Sequence, residues 1–130
     1  IAINARLNGI EKKRYRVIQS DIFSGVKNKK YDFIFANPPY IAESRKHKVQ
    51  KSVLKHEPKE ALFAGKDGLN IIQRFLRHAK DFLAPGGRVY LEFDSFQKPA
   101  LAKILRSYGF RNFEFHKDQY ANWRFAVIQS

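Results

Sequence analysis

Three features of this chain of 130 residues predict an α/β fold. Residues 31–36 (YDFIFA) form a short run of β-formers that stops at two prolines, as a buried strand feeding a loop does. An amphipathic stripe over residues 68–83 then repeats at helical spacing. After it come a strand, a second helix and two closing strands. Strands alternating with helices point to a mainly parallel sheet finished by an antiparallel hairpin.

Residues 1–8 read as the tail of a helix, with Ile1, Ala5 and Leu7 as its apolar face and Gly9 as its stop. Tyr15 to Gln19 alternates as a short strand ending at Ser20-Asp21, and Lys27 to Lys30 makes a basic turn. The strand at 31–36 ends at Asn37-Pro38-Pro39-Tyr40. From Ile41 to about Lys66 the chain is polar and basic, a loop long enough to suggest a lid or binding segment. The next helix buries Leu69, Ile72, Phe75, Leu76, Ala79, Phe82 and Leu83, with Arg74, Arg77 and Lys80 facing away. Pro85-Gly86-Gly87 reads as a turn and Arg88 to Phe93 as the following strand. Pro99 opens a helix to Tyr108 that Gly109 stops, and 110–116 and 123–129 are the hairpin strands.

Hydrophobic residues make up 44% and aromatics 15%, with 12 Phe, so one aromatic-rich core is expected and wholesale disorder is excluded. Without a cysteine there is no disulfide framework, no thiolate nucleophile and no Cys-ligated zinc. The four His residues show no metal-ligand spacing. No run approaches the roughly 20 apolar residues of a membrane span, so a cytoplasmic protein is expected. Lys and Arg number 25 against 12 Asp and Glu, a net charge of +13 that favours polyanionic surroundings such as RNA, DNA or the ribosome.

The chemistry centres on Asn37-Pro38-Pro39-Tyr40, because ligands of open α/β sheets bind beyond the carboxyl ends of strands. An amide or aromatic amine is a poor nucleophile, its lone pair being delocalised. The Asn37 side-chain oxygen and the Pro38 carbonyl can accept the two N–H groups of such an amine and aim its lone pair at an electrophile. The prolines fix the backbone so that the carbonyl points outward, and Tyr40 offers a flat face to a planar group. Asn-Pro-Pro can also do no more than end a strand, but its place between YDFIFA and a long polar loop favours a site.

FANPPYI, HEPKEALFAGKDGL, LAPGGRVYLEF and DQYANWRF together resemble the PrmC/HemK family of protein glutamine methyltransferases, and the likeness runs through nearly the whole chain. The resemblance implies a partial Rossmann-like class I methyltransferase sheet, S-adenosylmethionine as cofactor, and a glutamine side-chain amide of a peptide chain release factor as substrate. It implies that Asn37 and Pro38 grip that amide, with Pro39 and Tyr40 beside it. Asp21 falls at the position beside the cofactor adenine, and Asn37 counts among the cofactor-contacting positions too. Glu57-Pro58 matches a substrate-side motif, Glu92 a recurrent glutamate after its strand, and Asp118 with Arg124 a pair specific to the glutamine enzymes; Asp94 stands where glycine is usual.

The glycine-rich turn and the ribose-binding acid of such enzymes have no counterpart here, so residues 1–130 are expected to be a single, N-terminally truncated catalytic domain. Two strands of the family's sheet would lie between 15–19 and 31–36, and without them buried backbone groups lose partners at roughly 1–3 kcal/mol each. The NPPY tetrapeptide alone also suits a methyltransferase acting on adenine or guanine amines of nucleic acid. A non-catalytic basic remnant binding RNA or protein is the reading from another class.

Overall fold

The computed structural model describes residues 1–27, 29–49, 51–56 and 58–129. Its helices are α1 (Ala2–Leu7), α2 (Lys51–His56), α3 (Asn70–Phe82) and α4 (Lys98–Ser107). Its strands are β1 (Tyr31–Ala36), β2 (Leu83–Glu92), β3 (Asn112–Lys117) and β4 (Trp123–Gln129). They form one sheet in the order β1-β2-β4-β3. β1 runs parallel to β2, whereas β2–β4 and β3–β4 are antiparallel. The sheet is thus mixed, with the hairpin where the sequence put it and a smaller parallel share than expected.

Period-two alternation sorts the sheet's faces. Val89, Leu91, Ala126 and Ile128 are fully buried, and Ile34, Ala36, Phe113 and Phe115 pack against the same cluster. α3 adds Ile72, Phe75, Leu76 and Ala79, and α4 adds Leu101 and Leu105. The opposite face is open: Phe33 is 58% exposed and Phe35, stacked on Tyr90 at 4.9 Å, is 76% exposed.

Several expectations are corrected. Tyr15 to Gln19 forms no strand; a ladder needs a partner, and Val17 and Ile18 lie exposed. In α1 only Ala5 is buried, and Ile1 and Leu7 face solvent. Pro85-Gly86-Gly87 lies inside β2, and the register against β1 slips between Tyr31 and Phe33, so the expected turn is absorbed as an irregularity. The segment after Tyr40 carries helical turns at Glu43–Lys48 and Lys59–Ala61, besides α2.

The neck of that segment is tied. Ile41 pairs with Phe63, Glu43 N–H donates to Gly65 at 3.1 Å, and Ala42 and Ala64 are buried. Among the described residues no helix is long and apolar enough to cross a membrane.

Candidate active site

β1 and β2 run parallel and end together, which delivers Asn37 and Glu92 to the same edge of the sheet. Asn37 is exposed, and Pro38, Pro39 and Tyr40 are half-buried. Among the described residues, no hydrogen bond within the chain takes up the Asn37 side chain or the Pro38 carbonyl. Two acceptors at a strand end are therefore left for an incoming donor.

The turn at 21–26 approaches from the other side. Phe23 stacks on Phe82 at 4.3 Å and on Phe75 at 5.3 Å, pinning the turn to α3. Ile22 takes φ +54, a left-handed conformation that costs a β-branched residue about 1–2 kcal/mol. Asp21, Ile22, Ala36, Asn37, Pro38, Pro39, Ile71 and Phe75 line one open cleft of about 380 Å³. Asp21, Asn37, Pro38 and Pro39, singled out from the sequence, thus meet in one place. Asp21 is also engaged in a way its position in the sequence did not announce: Arg74 of α3 donates to its Oδ2 at 2.6 Å.

The cleft suits the adenine end of S-adenosylmethionine. Its lining is mostly apolar, and the Asp21 carboxylate borders it, a group that would accept from an exocyclic amine.

Tyr40 serves differently from a free flat face. Its hydroxyl donates to Glu92 Oε1 at 2.7 Å. Burial, and then this hydrogen bond to a carboxylate, push its pKa from 10.0 up to about 12. The Arg124 guanidinium acts on the same hydroxyl and is held by Asp118 Oδ2 at 3.2 Å. Desolvation alone would raise the Asp118 pKa, but the N–H groups of Asn122 and Tyr120 and the side chain of Arg124 together lower it. Asp118, Arg124, Tyr40 and Glu92 thus form one chain of charge and hydrogen bonds across β4, β2 and the loop. Glu92 gains from this a role that sequence reasoning could not supply. Pro58 is exposed at the start of a helical turn away from the cleft's lining, and Glu57 lies outside the described residues.

Sequence reasoning missed Gln97, which is 1% exposed. Its Nε2 donates to the carbonyls of Tyr40 and Asp67, both at 2.9 Å, and its Oε1 accepts from Asp94 N–H at 2.9 Å. A glutamine soon after a strand carries no motif, so only the fold reveals it. Gly68 is the matching space: it takes φ +75, and an added Cβ would run into the Tyr40 carbonyl oxygen and meet Gln97 Nε2 at 2.6 Å.

The Tyr40 hydroxyl gives a pH signature. A phenol whose folded pKa is raised binds its proton more tightly in the native state, so its stabilisation is complete below pH 10 and is lost as pH rises toward about 12. Tyr40→Phe is expected to remove that alkaline loss and to cost about 1 kcal/mol at neutral pH, since Glu92 loses its donor. Urea midpoints across the alkaline range for both proteins check it; identical profiles contradict it.

Comparison with known proteins sets the chain among methyltransferases. A bifunctional methyltransferase of Rickettsia conorii is 38% identical over 105 residues, which span 81% of this chain and 20% of the relative. A release factor glutamine methyltransferase of Thermodesulfovibrio yellowstonii is 33% identical over 126 residues, 97% of this chain and 44% of the relative. The chain therefore spans less than half the length of these curated relatives. The resemblance to glutamine methyltransferases read from the motifs is matched by relatives so named. Among solved structures, the ribosomal protein L11 methylase of Lactobacillus delbrueckii subsp. bulgaricus has a TM-score of 0.60 at 19% identity, covering 98% of this chain and 49% of the other. That likeness concerns the fold, which is the class I methyltransferase fold. The family described as Eco57I restriction-modification methylase matches residues 3–117, taking in Asp21, the Asn37–Tyr40 strand end and Glu92, and the chain belongs to that family.

Proposed function

We propose that the protein carrying this chain transfers a methyl group from S-adenosylmethionine to the side-chain amide of a glutamine in a peptide chain release factor. One observation carries this reading furthest. Asp21 and the two unsatisfied acceptors at Asn37 and Pro38 belong to one cleft, so a cofactor carboxylate and an amine grip adjoin. Relatives named release factor glutamine methyltransferase support the choice of substrate.

Bound in the cleft, S-adenosylmethionine supplies an electrophilic methyl group, and the rest of the task falls to the chain. Asp21 accepts from the adenine amine, with Arg74 holding the carboxylate in place. Asn37 Oδ1 and the Pro38 carbonyl accept the two amide protons of the substrate, which orients its nitrogen and favours a more pyramidal lone pair. The same two acceptors would hold the amide protons until one of them is lost to solvent after the nitrogen has been methylated. No strong base is needed, because the proton is lost from a nitrogen already made acidic by methylation. Tyr40, fixed through Glu92 and Arg124, keeps the loop at its angle and lends an apolar edge to the substrate.

The same reading places the protein in the cytoplasm, where release factors work, and its charge of +13 near ribosomal RNA. Tritiated cofactor tests the substrate choice. Label is expected in a release factor and not in DNA or RNA; label confined to nucleic acid overturns it.

A further inference from the structure

A strip of cations on the side of the sheet away from β1 takes part in none of this chemistry. It lies where α4 packs on β3, the far edge strand. Lys98, at the start of α4, places Nζ 3.2 Å from the Trp123 ring centroid and 5.5 Å from that of Phe115. Lys117, ending β3, lies 5.0 Å from the same Trp123 ring. Arg106, near the end of α4, stands 5.5 Å over Phe113. Beyond the helix, Lys80 lies 4.6 Å over Phe110.

Aromatic faces thus hold Lys98, Lys117 and Arg106 in place, whereas Lys80 of α3 also donates to the Gly109 carbonyl at 2.7 Å and is already engaged. Among the described residues none of the four forms an ion pair with a carboxylate. Of the two acids of this edge, Asp118 is held by Arg124 at 3.2 Å, and Glu114 is exposed with His116 3.7 Å away. From Lys98 to Arg106 the helix rises about 12 Å, long enough to lie along more than one phosphate of a nucleic-acid strand.

We propose that this α4–β3 edge docks the protein on RNA through its phosphate backbone. Cations held by rings and free of carboxylate partners along α4 and the end of β3 suit an extended polyanion better than the scattered carboxylates of an acidic protein. The choice of RNA over DNA rests on the proposed work on a release factor, which brings ribosomal RNA within reach. Aromatic rings beneath the cations lower the entropy lost when each meets a phosphate, so the strip is preorganised.

Fluorescence anisotropy tests it, using the full-length protein, a short labelled single-stranded RNA, a DNA strand of the same sequence, and polyglutamate as competitor. RNA affinity is expected to fall linearly on a logarithmic salt axis. The double variant Arg106→Gln/Lys117→Gln should make that slope shallower by about 1.4, two contacts at about 0.7 each. Arg106→Lys/Lys117→Arg should restore it, and Lys46→Gln/Lys59→Gln should leave it as in the parent. An unchanged slope in the Arg106/Lys117 double variant, from a protein with unaltered circular dichroism, overturns the proposal. Displacement of RNA by polyglutamate at equal charge assigns the strip to an acidic protein instead, and tighter binding of DNA overturns the choice of RNA. Methyl transfer to free release factor, assayed alongside, should be unaltered in the double variant. If that transfer is absent from the parent too, the activity reading fails while the slope still judges the strip.

Discussion

Asn37→Ala is expected to lower the methyl-transfer rate by about 10²–10³-fold, the size of effect seen when one aimed polar group is removed from a reacting centre. The loss should fall on kcat more than on the KM for the protein substrate, because the Asn37 oxygen matters most when the amide nitrogen is turning tetrahedral. Its side chain is exposed and makes no hydrogen bond among the described residues, so folding should change by less than about 0.5 kcal/mol. Single-turnover kinetics with unaltered thermal unfolding would match this account. A variant that keeps parental kcat would remove Asn37 from the chemistry and leave the strand-end turn as mere punctuation.

Gln97→Ala carries the largest expected effect on stability. The substitution removes a side chain that is 1% exposed and takes the partners from the carbonyls of Tyr40 and Asp67 and the N–H of Asp94. At about 1 kcal/mol for each broken bond, the loss is about 3 kcal/mol, a large part of a typical total of about 5–15. Activity should fall further than folding alone explains, since Tyr40 is one of the anchored groups. Gly68→Ala should act in the same direction by pushing the Tyr40 carbonyl out of line. Urea denaturation read by Trp123 fluorescence measures both, and a loss below about 1 kcal/mol for Gln97→Ala would show that the clamp is relaxed in solution.

Much of this was legible in the residues. YDFIFA followed by two prolines told where a strand ended, because a ladder cannot pass a prolyl nitrogen. The stripe from Leu69 to Leu83 gave α3 within two residues, since burying one face of a helix needs that spacing. Asn37, Pro38 and Asp21 were marked by residue type and position, and they share one cleft.

What escaped depended on partners distant in sequence. Tyr15 to Gln19 has the pattern of a strand, but pattern alone cannot supply a neighbour to pair with. Pro85-Gly86-Gly87 has turn chemistry, yet the parallel neighbour β1 draws it into β2 as an irregularity. Gln97 reaches Tyr40 and Asp67, 57 and 30 positions away, and Arg74 reaches Asp21, 53 positions away, and no local pattern encodes such contacts. The role of Glu92 emerged only when Tyr40 and Arg124 were seen beside it.

The account stands most directly on the shared cleft, and titration calorimetry of S-adenosylmethionine into the full-length protein tests it. Asp21→Ala should weaken cofactor binding about tenfold, equivalent to about 1.4 kcal/mol, whereas Tyr40→Phe should leave it within about twofold. Cofactor affinity unmoved by Asp21→Ala would place the adenine elsewhere and separate the cofactor from the Asn37–Tyr40 strand end.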